Sequence, residues 1–321
     1  MTTQSSVEES NPVSLKEKYN AWFNRKGWRD VLIAVPYWWL LLFFFVPFLI
    51  VVAMSLAKTA TTSPPFAFLD GWPYVRFENY MRLFEDHLFV RAFFISVLNA
   101  AWATLFCLLV GYPMALGLVR VPRAWRTVLL MLVILPFWTS FLLRVYAWMG
   151  LMGTNSWFNK LLTGAYNAVV PADWAIHAIQ MNNTNFAVVL VMVYSYLPFM
   201  ILPLYANLER LDRQLDEAAL DLGSKPWQVF RDITLPLSVP GIIAGGLLVF
   251  IPASGELIIP SLVGSASDPM IGRVINDQFS SARDWPMAST VAVALLMLLV
   301  LPMMAYTHFE SKAHEGGEAK K

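Results

Sequence analysis

The sequence predicts an all-α integral membrane protein of six spans with its N and C termini in the cytoplasm. Three observations predict it: an apolar composition, six apolar stretches of crossing length, and Lys and Arg concentrated in alternate loops. Of the 321 residues, 57% are hydrophobic and 14% charged. A soluble domain carries roughly 45–50% and about 25%. Mean hydropathy is +0.54. The net charge of +1 creates no field that would select a polyanion, so no nucleic-acid partner is expected. A single cysteine, Cys107, excludes a disulfide framework.

The spans follow from length, since about 18 or more apolar residues are needed to cross roughly 30 Å of hydrocarbon. Those stretches are about 31–54, 92–119, 127–152, 186–207, 238–262 and 287–309. Residues 31–309 therefore form one transmembrane domain, between a cytoplasmic tail at 1–30 and another at 310–321. The first apolar run is too long for a signal-peptide core and lacks a small-x-small cleavage pattern, so it reads as a retained anchor. The C-terminal HEGGEAKK reads as a solvated tail. Residues 155–165 place Trp157, Phe158, Leu161 and Leu162 at helical spacing, which suits a short interfacial helix or a packed loop.

Orientation follows from basic residues in the loops. The N-terminal tail, the 120–126 loop, the loop between spans four and five, and the C-terminal tail together carry fifteen Lys and Arg. The opposite loops carry seven. The richer side is expected to be cytoplasmic.

The longest cytoplasmic connection is the loop between spans four and five, 208–237. Leu211, Leu215, Ala218, Ala219 and Leu222 recur three and four apart, as on one helix face. Gly223 suits the residue that closes such a helix. Pro226 suits the first turn of a second helix bearing Trp227, Val229, Phe230 and Ile233. Pro236 and Pro240 are expected to stop that helix before span five. Aromatic side chains on such a loop are expected to be buried, against the chain's own helix ends or against a partner.

Glu217-Ala218-Ala219, Gly223 six residues after the glutamate, and Ile233-x-Leu235-Pro236 resemble the EAA signature of bacterial ABC-importer permeases. The runs 135–150, 249–264 and 270–289 are similar to the polyamine (putrescine/spermidine) branch, and the likeness extends over 31–309. Residues 265–267 and 275–278 depart from it and leave the particular polyamine open.

The resemblance implies a type I importer fold in a bacterial inner membrane, the chain forming half of the pathway beside a homologous second permease subunit. It implies an ATP-binding subunit dimer and a periplasmic polyamine-binding protein as partners. Glu217, Ala218, Ala219, Gly223, Trp227, Phe230, Leu235 and Pro236 would couple to the ATPase. The sequence contains no G-x-x-x-x-G-K-[ST] loop, so ATP and magnesium are expected to act on the partner and no cofactor on this chain. It is read as a transport subunit and not an enzyme. The other readings are a permease for ferric iron, sulfate or phosphonate, and an ion-driven secondary transporter.

A polyamine pathway would offer carboxylates and aromatic faces. Charges within spans are expensive and therefore informative. Arg144 in span three and Glu256 in span five stand out. Counted from Arg126 and Pro240 at about 1.5 Å per residue, they reach roughly 27 and 24 Å. Two readings stand: they form a structural ion pair, or Glu256 meets the substrate amine. Trp138, Tyr146 and Tyr196 are pathway candidates, while Trp148 suits the outer belt. Asp268, Asp277, Asp284 and Trp285 suit either solvated loop positions or contact with a binding protein. Gly241-x-x-x-Gly245 suits close helix packing within the bundle, or between permeases.

Overall fold

The computed structural model describes residues 26–61, 63–67, 77–171, 174 and 176–318. Most of the predicted N-terminal tail lies outside these. The chain divides at Met54 into two compact units. In the first, α1 (Lys26–Leu40) passes through a π turn at Leu41–Phe45 into α2 (Val46–Ser55). The stretch Leu32–Ser55 is long and apolar enough to cross a membrane. Tyr37, Trp38, Trp39 and Phe44 on it are all exposed, the surface of a helix made for lipid or another chain.

In the second unit, β1 (Lys58–Thr59) pairs antiparallel with β2 (Phe66–Ala67), Lys58 opposite Ala67. Helices α3 (Glu78–Glu85), α4 (His87–Arg120), α5 (Arg123–Ile134), α6 (Phe141–Met152), α7 (Trp157–Val169) and α8 (Asn185–Leu208) follow. After them come α9 (Arg213–Asp221), α10 (Pro226–Val229), a π turn at Phe230–Thr234 and α11 (Leu235–Ser254). The described chain closes with α12 (Ile258–Val263), α13 (Ile271–Ser280) and α14 (Trp285–Glu318). The segment around 155–165 is the interfacial-type helix α7, opened by Ser156, whose hydroxyl accepts from the Asn159 N–H. Helix α14 continues through most of the stretch expected as a solvated tail.

Among the described residues four helical runs meet the length and apolarity of a crossing, and a bent pair taken as one span makes a fifth. The sixth expected span corresponds to α14, whose described apolar stretch is the shorter Trp285–Val300. Span three is corrected most. Arg123–Trp138 and Phe141–Val169 meet at 88° instead of forming one straight helix. Pro136 opens a 3-10 turn at Leu135–Trp138, and Thr139 and Ser140 are extended, so the helical hydrogen bonding lapses there. Span five is also corrected. It begins at Pro226, runs unbroken through Pro236 and Pro240, and stops at Ser254. The π turn just before Pro236 widens the helix where the proline ring would otherwise crowd the carbonyl four residues back.

The core lies where α4, α8 and α11 meet, around Ala103, Cys107, Met192, Met200, Leu204, Val249 and Ala253. Gly241 and Gly245 let α11 approach α8. A Cβ at Gly241 would lie 2.7 Å from Asn207 Cβ, and one at Gly245 would lie 3.1 Å from the Met200 carbonyl oxygen. The small-residue pair thus serves packing within this chain. A second cluster joins Leu83, Phe89 and Ala92 to Ile271, Val274, Met287, Val291 and Leu295.

Candidate functional site

Two regions carry the chemistry, and one helical run joins them. The first is the coupling loop. Asp212 caps α9 by accepting from the Gln214 N–H at 3.0 Å. The helix closes at Gly223, where φ is +89°, with the Ser224 N–H donating to Ala219 O at 3.0 Å. This is the role expected of that glycine, which has no Cβ to strain in this conformation. Pro226 then starts α10, and Gln228 Oε1 accepts from the Lys225 N–H at 2.8 Å. Thr234 Oγ1 donates to Asp216 Oδ1 at 3.4 Å and ties the two helices together. A cavity of about 190 Å³ lies beneath α9, lined in part by Arg120, Asp212, Asp216, Glu217 and Thr234.

The loop buries Val229 but leaves several other apolar side chains exposed. Leu222 is 87% exposed and Trp227 66%, and Leu215, Leu220, Glu217 and Ala218 are also exposed. Phe230 is placed differently from Trp227. It is half-buried, edge-on to Tyr112 of α4 at 5.8 Å, with Trp227 beside it at 5.3 Å. Leu235 also packs toward the core, while Pro236 stays exposed. Sequence reasoning missed Tyr112, whose hydroxyl pairs with that of Ser238 at 2.8 Å and so fixes α4 to α11.

The second region is the break after α11. Helix ends at Ser254, Gly255 and Glu256 carry the turn, and Glu256 Oε1 accepts from the Ile258 N–H at 3.0 Å, at the start of α12. Its other oxygen, Oε2, accepts a short hydrogen bond from the Tyr196 hydroxyl. Glu256 is half-buried and Tyr196 nearly fully buried. Gly272 of α13 presses on this turn: a Cβ there would lie 2.5 Å from Gly255 O and 2.6 Å from Glu256 O. Nothing in the spacing around Gly272 marked it beforehand.

Arg144 does not pair with Glu256, which corrects the ion-pair expectation. Its guanidinium carbon lies 5.3 Å from the Phe137 ring centroid and 5.5 Å from that of Phe141. Its Nε is buried without a partner. The depth arithmetic fails because span three turns through 88° between its reference, Arg126, and Arg144. Rings fill the interval instead: Phe137 meets Phe199 edge-on at 5.0 Å, and Phe199 lies 6.2 Å from Tyr196. Trp138 is 86% exposed and Tyr146 half-exposed, whereas Tyr196 is nearly fully buried. Trp148 packs on Tyr194 at 5.5 Å.

The outer-loop carboxylates are engaged within the chain. Asp284 accepts from Thr59 Oγ1 at 2.6 Å and from the Met287 N–H, and Arg82 lies 3.7 Å away. Asp268 pairs with Arg91, and Asp277 lies 3.8 Å from Arg273. Trp285 stacks on Phe279 at 4.9 Å.

An apolar helical bundle with a docking-type loop at one end and a carboxylate in a broken helix at the other defines a transport permease. Residues 108–314 match the family model of the binding-protein-dependent transport system inner membrane component, and the chain belongs to that family. It is therefore a multi-pass protein of the inner membrane. It is 38% identical over 276 residues to the spermidine/putrescine transport system permease protein PotB of Haemophilus influenzae, covering 86% of this chain and 92% of that one. Against PotB of Escherichia coli K12 it is 40% identical over 229 residues, 71% of this chain and 80% of the relative. A solved bacterial ABC transporter that imports the polysaccharide alginate superposes with a TM-score of 0.66 over 92% of this chain and 99% of that one. At 14% identity that likeness concerns the fold, the type I importer fold.

Proposed function

We propose that this chain is the membrane-spanning permease of an ATP-driven polyamine importer and forms half of its substrate pathway. One observation carries the reading. The helical run Pro226–Ser254 has the exposed coupling surface at its start and Glu256 just beyond its end. A displacement at Trp227 is thus delivered along one helix to the carboxylate. The similarity to the two PotB proteins supports the cargo class.

In this reading Glu217, Ala218, Leu222 and Trp227 seat in the cleft of a separate ATPase subunit, where ATP and magnesium act. Gly223 provides the bend between the seated helices. A homologous permease completes the pathway, and a periplasmic binding protein delivers the polyamine. Both termini lie in the cytoplasm. Glu256 meets an ammonium of the cargo, with the Tyr196 hydroxyl and the Ile258 N–H holding its carboxylate in place. A half-buried carboxylate whose side-chain and backbone partners are both neutral donors has, among the described residues, no cation of its own beside it, which suits it to meet one from the cargo.

The test is uptake of labelled putrescine and spermidine in a strain lacking its own polyamine importers, complemented with this chain and its companion subunits. Uptake restored by wild type, lost with Glu217→Lys, and competed by polyamines but not sulfate is the expected result. Uptake that survives removal of the ATPase would overturn the reading.

A further inference from the structure

The hairpin between α4 and α5 carries three arginines, Arg120, Arg123 and Arg126, with Glu209 beside them around a cavity of about 460 Å³. Arg126 is committed to the fold. It donates to Glu209 Oε1 at 2.9 Å, to Val119 O at 2.8 Å and to Val121 O at 3.3 Å. Arg120 and Arg123 are exposed and form no ion pair among the described residues. The lining of this cavity carries three cations and one carboxylate, an excess suited to a phosphodiester, although Arg120 also borders the neighbouring cavity of Asp212, Asp216 and Glu217. Helix α5 begins here, after Pro122, with no side-chain cap. Trp125, exposed between the arginines, has the character of an interfacial anchor.

An apolar groove of about 410 Å³ adjoins this cavity between α4 and α5. It is lined by Met114, Gly117, Leu118, Leu129 and Leu132 among others. Val121 borders both spaces. The space beside Gly117 is open, since a Cβ there would meet nothing within 4 Å. A cationic cavity continuous with an apolar groove at the end of a membrane helix has the shape of an amphiphile.

We propose that this hairpin is a binding site for an anionic phospholipid, its phosphodiester held by Arg120 and Arg123 and an acyl chain lying in the α4–α5 groove. The charge excess selects an anionic headgroup, and the adjoining apolar groove favours one that carries an acyl chain over a free inorganic anion. Arg126 acts as the positioning residue that holds the hairpin closed. The proposal rests on the inner-membrane assignment and not on the cargo, so its failure would be distinct from failure of the polyamine reading.

The full-length chain would be purified into nanodiscs of phosphatidylglycerol and phosphatidylcholine in equal parts, and retained lipids counted by native mass spectrometry. Wild type is expected to carry phosphatidylglycerol several-fold above the bulk ratio. Arg120→Gln with Arg123→Gln should return it to bulk, and Arg120→Lys with Arg123→Lys should restore it. Gly117→Leu, which fills the groove and keeps every charge, should also abolish enrichment. Enrichment unchanged in both the Gln and the Leu variants would overturn the site. Retention insensitive to Gly117→Leu but stripped by millimolar inorganic phosphate would make it a free-anion site. Unchanged lipid with loss of co-purifying subunits in the Gln variant would make it a protein-docking patch.

Discussion

The Tyr196 hydroxyl donates to the Glu256 carboxylate, joining the middle of α8 to the break that follows α11. The bond links a helix of the rigid core to the one carboxylate placed in a broken span. Hydrogen bonds to a charged group contribute about 1.5–3 kcal/mol, so this contact is a strong restraint on the turn.

Removing the charge and removing the donor should therefore give different kinetics. Glu256→Gln keeps the shape of the turn and is expected to lower polyamine uptake at least tenfold while the protein still assembles. Tyr196→Phe leaves the carboxylate in place and held by the Ile258 N–H, so it should raise KM several-fold with a smaller change in the maximal rate. Initial uptake rates across polyamine concentration, normalised to membrane-inserted protein, separate the two. Equal effects of both variants would argue that the pair is structural only.

Gly272 offers a test of how the turn is held. Its missing Cβ makes room for two backbone carbonyls, Gly255 O at 2.5 Å and Glu256 O at 2.6 Å. Backbone atoms cannot swing aside as a side chain does, so Gly272→Ala must push α13 away or deform the break. Overpacking of this kind costs about 1–3 kcal/mol. A lower melting temperature in detergent and reduced uptake are expected. Gly150→Ala, where a Cβ meets nothing within 4 Å, should leave both unchanged.

Much of this architecture was legible in the apolar runs, because length and hydropathy are the main demands that a bilayer places on a helix. Gly223 was legible because a helix followed by a second helix start needs a residue that tolerates positive φ. What periodicity could not show was how backbone hydrogen bonding is rerouted. Pro236 and Pro240 read as stops, yet a π turn lets the helix pass through them. Leu135-Pro136-Phe137-Trp138 is as apolar as its neighbours, so the bend in span three left no trace in hydropathy. The same bend parted Arg144 from Glu256, and rings occupy the space between them. Gly272 and Tyr112 were missed for a related reason, since their importance lies in contacts between elements distant in sequence.

The bend at Gly223 yields a prediction about coupling. Its φ of +89° is strained for any residue with a Cβ, although the surrounding space is open. Gly223→Ala should cost roughly 1–2 kcal/mol locally, as a left-handed conformation does for an L-residue. The loop is exposed, so the bundle should keep its melting temperature. ATP-dependent uptake should fall, and co-purification of the ATPase should weaken. Unaltered binding and uptake would remove the bend from the coupling path.

The hairpin that ends α4 is anchored through Glu209, and this anchor has a definite pH dependence. A hydrogen bond from Tyr205 is the main cause that holds the Glu209 carboxyl below the ordinary carboxylate range; desolvation opposes it, and the hydrogen bond and charge of Arg126 and the charge of Arg123 add to the lowering. A carboxyl with a depressed native value stabilises the fold in its charged form. Its contribution is complete at neutral pH, begins to fade as pH falls through the ordinary carboxylate range, and is gone below its own lower value. Glu209→Gln should therefore loosen residues 119–126 at neutral pH, seen as faster amide exchange there. Acidification should speed exchange in wild type toward that of the variant, after correction for the intrinsic pH dependence. Identical exchange in the two proteins at neutral pH would show that Arg126 is held sufficiently by the Val119 and Val121 carbonyls alone.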